Sequence, residues 1–328
     1  MRASAWTRTA IAALALAVAA APGRARADDN DLVLSRLGGI NTAGDDVVPN
    51  NQLYRSLVSE LGVVLAPKFL SPSDTMGYSG FQFSAELAHN SIHNGASYWC
   101  ATEETAGCGA GQEKSGGWLD TVSVFARKGM WLPLPSFEVG AGALHLVGSR
   151  MWAGQAYAKF ALHEGFHDWP IPSVAARGAV SRVFGSEQID LTVASLDLSV
   201  SKSFGVQGTI NLAPYAGWNM LWIVPRSEVI DKTPQIDAYQ TTQDFRMNFV
   251  FPEQDNITRQ RFFGGVKVRY YVFALALEVN VALAGSSVDD RMGNTTCDNA
   301  PPDQQGDCDA KDKSGSQQTY AASVSMDF

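Results

Sequence analysis

His163-Glu164-Gly165-Phe166-His167 carries the pattern H-E-x-x-H. On a helix this spacing sets two imidazoles one turn apart, where they can share a zinc ion while the glutamate serves as general base. Glu187 stands downstream at a spacing compatible with a third ligand. The neighbouring residues oppose the helix. Gly165 sits inside the motif, and Asp168-Trp169-Pro170-Ile171-Pro172 follows at once, which would end a helix there. Glu187 leads into IDLTVASLDLSVS, which has the look of a strand. An exported metal-dependent hydrolase built on His163, Glu164, His167 and Glu187 is thus the alternative. The main expectation is a turn over 163–172 that binds no metal.

Three other groupings could do chemistry. His89 and His93 are four apart, but no third ligand accompanies them, and they fall where a strand over 78–87 gives way to an Asn/Gly-rich loop. Asp289, Asp290, Asp298, Asp303, Asp307, Asp309 and Asp312 crowd one stretch that could attract calcium. It lacks the register of an EF-hand loop, so a solvated acidic surface is expected. Four cysteines form two local pairs, Cys100 with Cys108 and Cys297 with Cys308, each inside a segment rich in Gly, Asp, Thr, Pro or Gln. Neither has Cys-x-x-Cys spacing, and loop-closing disulfides are expected in an oxidising compartment. No Ser-His-Asp order or phosphate-binding glycine motif stands out. No enzyme activity and no cofactor is expected.

The elements that must position these residues follow from composition and period. The chain has 328 residues, 45% hydrophobic and 18% charged, enough for one large domain or two ordinary ones. Its formal charge of −8 argues against nucleic acid as a partner, since phosphate contact needs a basic surface. Arg2 and Arg8, the apolar run 10–21, the break at Pro22-Gly23 and Ala25-Arg26-Ala27 have the form of a signal peptide over residues 1–27. Its removal would take four arginines and no acid, leaving 21 basic against 33 acidic residues, a formal charge of −12. No later apolar run approaches the roughly 20 residues of a membrane helix, while a membrane β-barrel remains open.

Period-two alternation dominates the C-terminal half. Tyr320, Ala322, Val324, Met326 and Phe328 share one face, and Ala321, Ser323, Ser325 and Asp327 the other. Tyr271, Phe273, Leu275, Leu277, Val279, Val281 and Leu283 line a second apolar face, opposite Glu278 and Asn280. A third runs from Val206 to Val224. Such lengths suit tilted strands of about 9–11 residues crossing a bilayer.

On the signal peptide and this terminal strand, the chain resembles the Gram-negative outer-membrane β-barrel proteins. The resemblance is at superfamily level and carries no substrate. It implies that Tyr320, Val324, Met326 and Phe328 form the signal read by the barrel-assembly machinery, and that the mature protein lies in outer-membrane lipid. The expected fold is all-β, an antiparallel transmembrane up-and-down barrel over 71–328. Ten strands are expected, at 78–87, 118–127, 137–147, 151–162, 173–184, 189–202, 206–222, 260–269, 272–284 and 317–328, with twelve as the alternative. Long connectors (88–117, 223–259, 285–316) alternate with short ones. Working back from a periplasmic Phe328 puts the long ones, with both cysteine pairs, outside the cell.

Within residues 28–70, Leu53, Leu57, Leu61, Val64 and Leu65 recur at helical spacing. A short amphipathic helix over 51–66 is expected to plug the lumen or to pack at the periplasmic mouth. Alternation places Arg127, Arg177, Lys267 and Arg269 in the lumen with Glu86, Glu138, Asp197 and Glu278. A mixed lumen in a small barrel implies a paired network, not a single-sign selectivity ring. Trp118, Trp131, Trp152, Trp169, Trp218 and Trp222 suit interfacial belts. The expected role is a narrow channel or carrier for small or apolar solutes, or a structural envelope protein. A soluble periplasmic binding barrel is the other alternative.

Overall fold

A computed structural model describes residues 29–41, 44, 46–108, 113–131, 136–165, 171–206, 208–233, 247–289, 296–297 and 308–328. Ten long strands form the body: β1 Phe81–Ser91, β2 Trp118–Met130, β3 Phe137–Leu146, β4 Trp152–His163, β5 Ser173–Phe184, β6 Ile189–Ser201, β7 Ile210–Ser227, β8 Ile257–Tyr270, β9 Phe273–Ala282 and β10 Gln317–Asp327. Each pairs antiparallel with the next, and β10 pairs with β1, Val324 opposite Ala85, so the sheet closes. The chain is therefore an up-and-down β-barrel of ten strands, with no open edge along its body. A short strand, Phe204–Val206, folds back on the start of β7.

The two rims differ. Backbone bonds between Phe81 and Phe328 join the barrel's first and last residues at what is here termed the terminal end. The opposite, loop end carries the connectors after β1, β7 and β9. Both disulfides lie there, Cys100–Cys108 and Cys297–Cys308.

Side chains alternate along every strand with period two. On β9, Phe273, Leu275, Leu277, Val279 and Val281 are exposed while Ala274, Ala276, Glu278, Asn280 and Ala282 are buried. On β10, Tyr320, Val324, Met326 and Phe328 face out and Ser323, Ser325 and Asp327 face in. The outer wall is apolar and much of the inner wall polar, the reverse of a soluble protein.

The interior is filled by the chain's own beginning. Residues 51–65 form helix α1, Asn51–Leu65, whose N-cap Asn50 accepts the Leu53 N–H. The sequence spacing suggests an amphipathic helix, yet every residue of α1 except Gln52 and Leu53 is buried. A helix inside a barrel has wall on all sides and keeps no solvent face. Lys68 donates to the carbonyls of Val63, Val64 and Ala66, closing the helix C-terminus where positive charge is favoured.

Strand limits shift slightly from the sequence expectation. β1 begins at Phe81 and extends to Ser91, so His89 belongs to a strand and not to the loop beyond it. Residues 71–80 still belong to the plug.

Candidate functional site

The lumen is built in two layers, and the inner wall changes character between them. Toward the loop end, α1 presents Leu57, Val58, Leu61, Val64 and Leu65. They meet an apolar inner wall that includes Leu119, Leu146, Ile189, Leu191, Val193, Leu221 and Ile223. The approach is tight at Gly62, where a Cβ would lie 2.6 Å from Ile223 Cδ1. β6 shows the change within one strand. Ile189, Leu191 and Val193 face in near the loop end, and farther down the inward residues become Ser195, Asp197, Ser199 and Ser201.

Polar residues of α1 tie the helix to the loops. The Glu60 carboxylate is fully buried. It accepts from Tyr98 Oη at 2.8 Å, Trp99 Nε1 at 2.8 Å, the His93 N–H at 3.2 Å and the Gly315 N–H at 3.1 Å. His93 Nδ1 lies 2.9 Å from the same carboxylate. Burial first, then the adjacent Glu60 charge, pushes the Tyr98 phenol well above its ordinary range. Arg55 donates to the Asp255 carbonyl and Ser287 Oγ. Ser59 donates to Asp312 at 2.6 Å.

Residues 66–80 run the length of the lower lumen, held by wall charges at successive levels. Gln155 bonds the Leu65 carbonyl near the loop end. Arg177 donates to the Lys68 carbonyl at 2.9 Å and stacks over Phe69 with 4.5 Å to the ring centroid. Glu278 accepts the Phe69 and Leu70 N–H groups at 3.2 and 2.6 Å. Lys159 donates to the carbonyls of Pro72 and Asp74. At the terminal end Glu138 accepts the Met76 N–H, and Glu164 accepts from Thr75 and Ser136. The wall groups also pair with each other: Arg127 with Glu86 at 2.6 Å, Arg177 with Asp197 at 2.7 Å, Lys159 with Glu138 at 3.1 Å and Lys267 with Asp327 at 2.8 Å. A buried charge needs such partners, because an unpaired one costs several kcal/mol, about 3–5 when a partner is removed.

Arg127, Glu138, Arg177, Asp197, Lys267, Arg269 and Glu278 all sit on inward positions of their strands. Sequence reasoning overlooked Lys159, Arg259 and Arg261, all buried inside, together with Glu60 and Lys68 on the plug. Lys159 stands in the Gly/Ala-rich run over 137–162, where alternation is weak. Arg259 and Arg261 lie around the boundary of a strand whose start at Ile257 the sequence understated.

The described residues supply no helix for the zinc geometry. His163 is the last residue of a strand, so no helical turn sets it above His167, which lies outside the described residues. Glu164 is occupied by Thr75 and Ser136. Glu187 is in the turn after β5 at the loop end, a full strand away from His163 at the terminal end. No cluster of metal-ligating side chains occurs among the described residues. Asp290, Asp298, Asp303 and Asp307 of the acidic loop, and Trp169, also lie outside them.

Near the loop end the outer wall carries a polar cluster. His89 Nδ1 lies 2.5 Å from Asp120, and Trp118 stacks on the His89 ring at 4.1 Å. His89 and His93 therefore point to different surroundings and do not form a pair. Trp152, Trp222 and Trp118 are exposed on the outer wall, and Trp131 is exposed just past β2 at the terminal end.

A cavity of about 430 Å³ remains at the terminal end, between the plug residues 71–77 and the strand ends. Arg127, Lys159, Lys267 and Arg269 line it with Asp74, Glu138, Glu164 and Asp327.

These features define the class: a closed ten-stranded antiparallel barrel, apolar outside, whose lumen is plugged by its own N-terminal segment. No family model and no curated protein matches the sequence. Among solved structures, the chain is similar to Neisserial surface protein A at 10% identity and TM-score 0.27, over 76% of this chain and 97% of that one. It is also similar to a bacterial polysaccharide outer-membrane secretin (9%, TM-score 0.19, 75% and 98%) and to a Pseudomonas aeruginosa FadL homologue (10%, TM-score 0.19, 75% and 90%). Similarity at these scores carries no argument here; the fold rests on the strand register.

Proposed function

We propose that the protein is an outer-membrane β-barrel with a closed lumen, a carrier for small solutes whose resting state does not conduct. The carrying observation is that residues 51–80 fill the barrel from the loop end to the terminal end while buried charges hold them at each level. The outer wall supports the membrane setting. Phe83, Leu87, Val124, Leu196, Leu198, Val200, Phe262, Leu277 and Val324 are all exposed on it. An apolar surface that encircles the barrel exceeds what a soluble monomer carries. Charged and hydroxyl groups lining the lower lumen suit a polar path once the plug shifts, and the plug excludes free diffusion meanwhile.

In this reading the terminal end faces the periplasm and the loop end the exterior. A second, structural role is favoured by one observation. Residues 29–41 and 46–50 fold over the loop end, where Arg36 donates to the carbonyls of Cys100 and Thr102 and Lys232 donates to those of Ser35 and Gly38. This stapled cap suits display at the surface. Planar-bilayer recording of detergent-purified protein tests the main reading. Intact protein is expected to give no steady conductance; a persistent open pore would overturn it.

A further inference from the structure

Across β9, β10, β1 and β2 the outer wall changes character between two neighbouring rows of outward side chains. Leu277, Ala322, Leu87 and Val122 stand in register and form an apolar row. Tyr320, His89 and Asp120 stand in register one step nearer the loop end and form a polar one. A groove of about 520 Å³ lies between the rows and is lined by all seven. Ala322 is the short member of the apolar row, so a slot opens over it between Leu277 and Leu87. The polar row carries a carboxylate without a lysine or arginine. The Asp120 side chain is 59% exposed, and its hydrogen bond is to His89 Nδ1 through one oxygen. No lysine or arginine lines the groove. Arg150, in the turn after β3, is engaged by Asp31. The β1–β2 pairing is held by the backbone ladder and makes no use of this carboxylate.

We propose that this groove seats a lipid whose headgroup carries a primary ammonium, with the ammonium on Asp120 and an acyl chain in the slot over Ala322. Charge sets the headgroup class. A carboxylate attracts an ammonium in a charge-assisted hydrogen bond and repels a headgroup that is only anionic. Tyr320 lines the same end of the groove and stands 6.0 Å from Trp118. Aromatic faces of this kind attract a cation as well. The step from the apolar row to the polar row matches a lipid at the depth where hydrocarbon gives way to headgroup, the depth that aromatic residues such as Trp118 and Tyr320 favour. The volume falls within the usual range of small-molecule sites, about 300–1,000 Å³. The site rests on the reading of the outer wall as lipid-facing and goes beyond the carrier role, because it lies outside the lumen.

Native mass spectrometry of the detergent-purified full chain tests it, with dioleoyl phosphatidylethanolamine, dioleoyl phosphatidylglycerol and free ethanolamine as probes. The two lipids share chains and phosphate and differ in the ammonium. A phosphatidylethanolamine adduct is expected, retained about tenfold better than phosphatidylglycerol, while ethanolamine alone leaves no adduct. Asp120→Asn should weaken retention of phosphatidylethanolamine about tenfold, the loss of a charge-assisted bond, and Ala322→Leu should weaken it by filling the slot. Glu228→Gln removes an exposed carboxylate in the turn after β7 and should change nothing. Equal retention of the two lipids, ethanolamine held as firmly as the lipid, or an Asp120→Asn or Ala322→Leu variant that matches the parent would overturn the proposal. Protein that keeps the heat-modifiable gel shift of a folded barrel yet takes up no phosphatidylethanolamine refutes the site and leaves the membrane barrel standing. Protein that stays soluble without detergent refutes the lipid-facing wall on which the site rests.

Discussion

Glu60→Gln should loosen the plug without opening the barrel wall. The carboxylate has no solvent contact, so nothing replaces a lost protein partner. Oε1 takes the Tyr98 hydroxyl and the Gly315 N–H and lies against His93 Nδ1; Oε2 takes the His93 N–H and Trp99 Nε1. An amide keeps one oxygen and puts an NH2 where the other stood. In the better orientation the NH2 takes the Oε1 place, where the Tyr98 hydroxyl and the His93 ring nitrogen can accept from it, and the Gly315 N–H alone faces another donor. Each unsatisfied buried donor costs about 1–3 kcal/mol, so the local penalty is about 1–3 kcal/mol. The strands hold their ladder bonds regardless, so the penalty falls on opening of α1 and not on global unfolding. Amide hydrogen exchange with mass-spectrometric readout measures that opening. A 2 kcal/mol loss corresponds to roughly 30-fold faster exchange over residues 51–65, since 1.4 kcal/mol is tenfold. Peptides from β9 and β10 should be unchanged. A rise below about threefold in 51–65 would show that Glu60 is not the latch, and an equal rise in β9 and β10 would show that plug and wall open together.

Gly62→Leu inserts side-chain atoms where Ile223 already stands within 2.6 Å of a bare Cβ, and overpacking of this kind should cost about 1–3 kcal/mol, seen as a lower urea midpoint. A cysteine at exposed Asp46 should react with a membrane-impermeant maleimide on intact cells, because residues 46–50 belong to the loop-end cap; labelling only after outer-membrane permeabilisation would reverse the orientation. Phe328→Asp keeps the backbone bonds to Phe81 and costs little at equilibrium, about 0–1 kcal/mol near an interface, yet should lower the outer-membrane level several-fold through failed assembly. A normal level of folded Phe328→Asp barrel would remove the terminal strand from the assembly signal.

Much of the fold is legible because a barrel strand repeats every two residues. Tyr320 to Phe328 and Phe273 to Ala282 alternate cleanly, and each buries the face that alternation selects. Strand number and the long-short rhythm of connectors follow from the same period. Inward charges such as Arg177 and Asp197 are equally local in their signal, since parity alone places them. The plug was half legible. The spacing of Leu57, Leu61, Val64 and Leu65 marks a helix, but not that Glu60 and Arg55 on it are buried as well. In Ile189–Ser201 the apolar residues switch from odd positions (Ile189, Leu191, Val193) to even ones (Leu196, Leu198, Val200) with no bulge between them. A strand that turns its apolar side inward partway along must be meeting something apolar inside.

Tertiary structure decided what that something is. Period two settles which way a side chain points relative to its own strand, but it is blind to what occupies the far side of the wall. That occupant, residues 51–80, is distant in sequence from every group that holds it: Glu60 meets Gly315, Arg177 meets Lys68 and Glu278 meets Leu70. The H-E-x-x-H spacing meets the same limit. Four residues apart means one face only on a helix, and closing the sheet required His163 to be a strand residue and set Glu187 at the opposite rim. Likewise the terminal-end cavity, between the plug residues 71–77 and the strand ends, is fixed by three-dimensional packing and written nowhere in the local pattern.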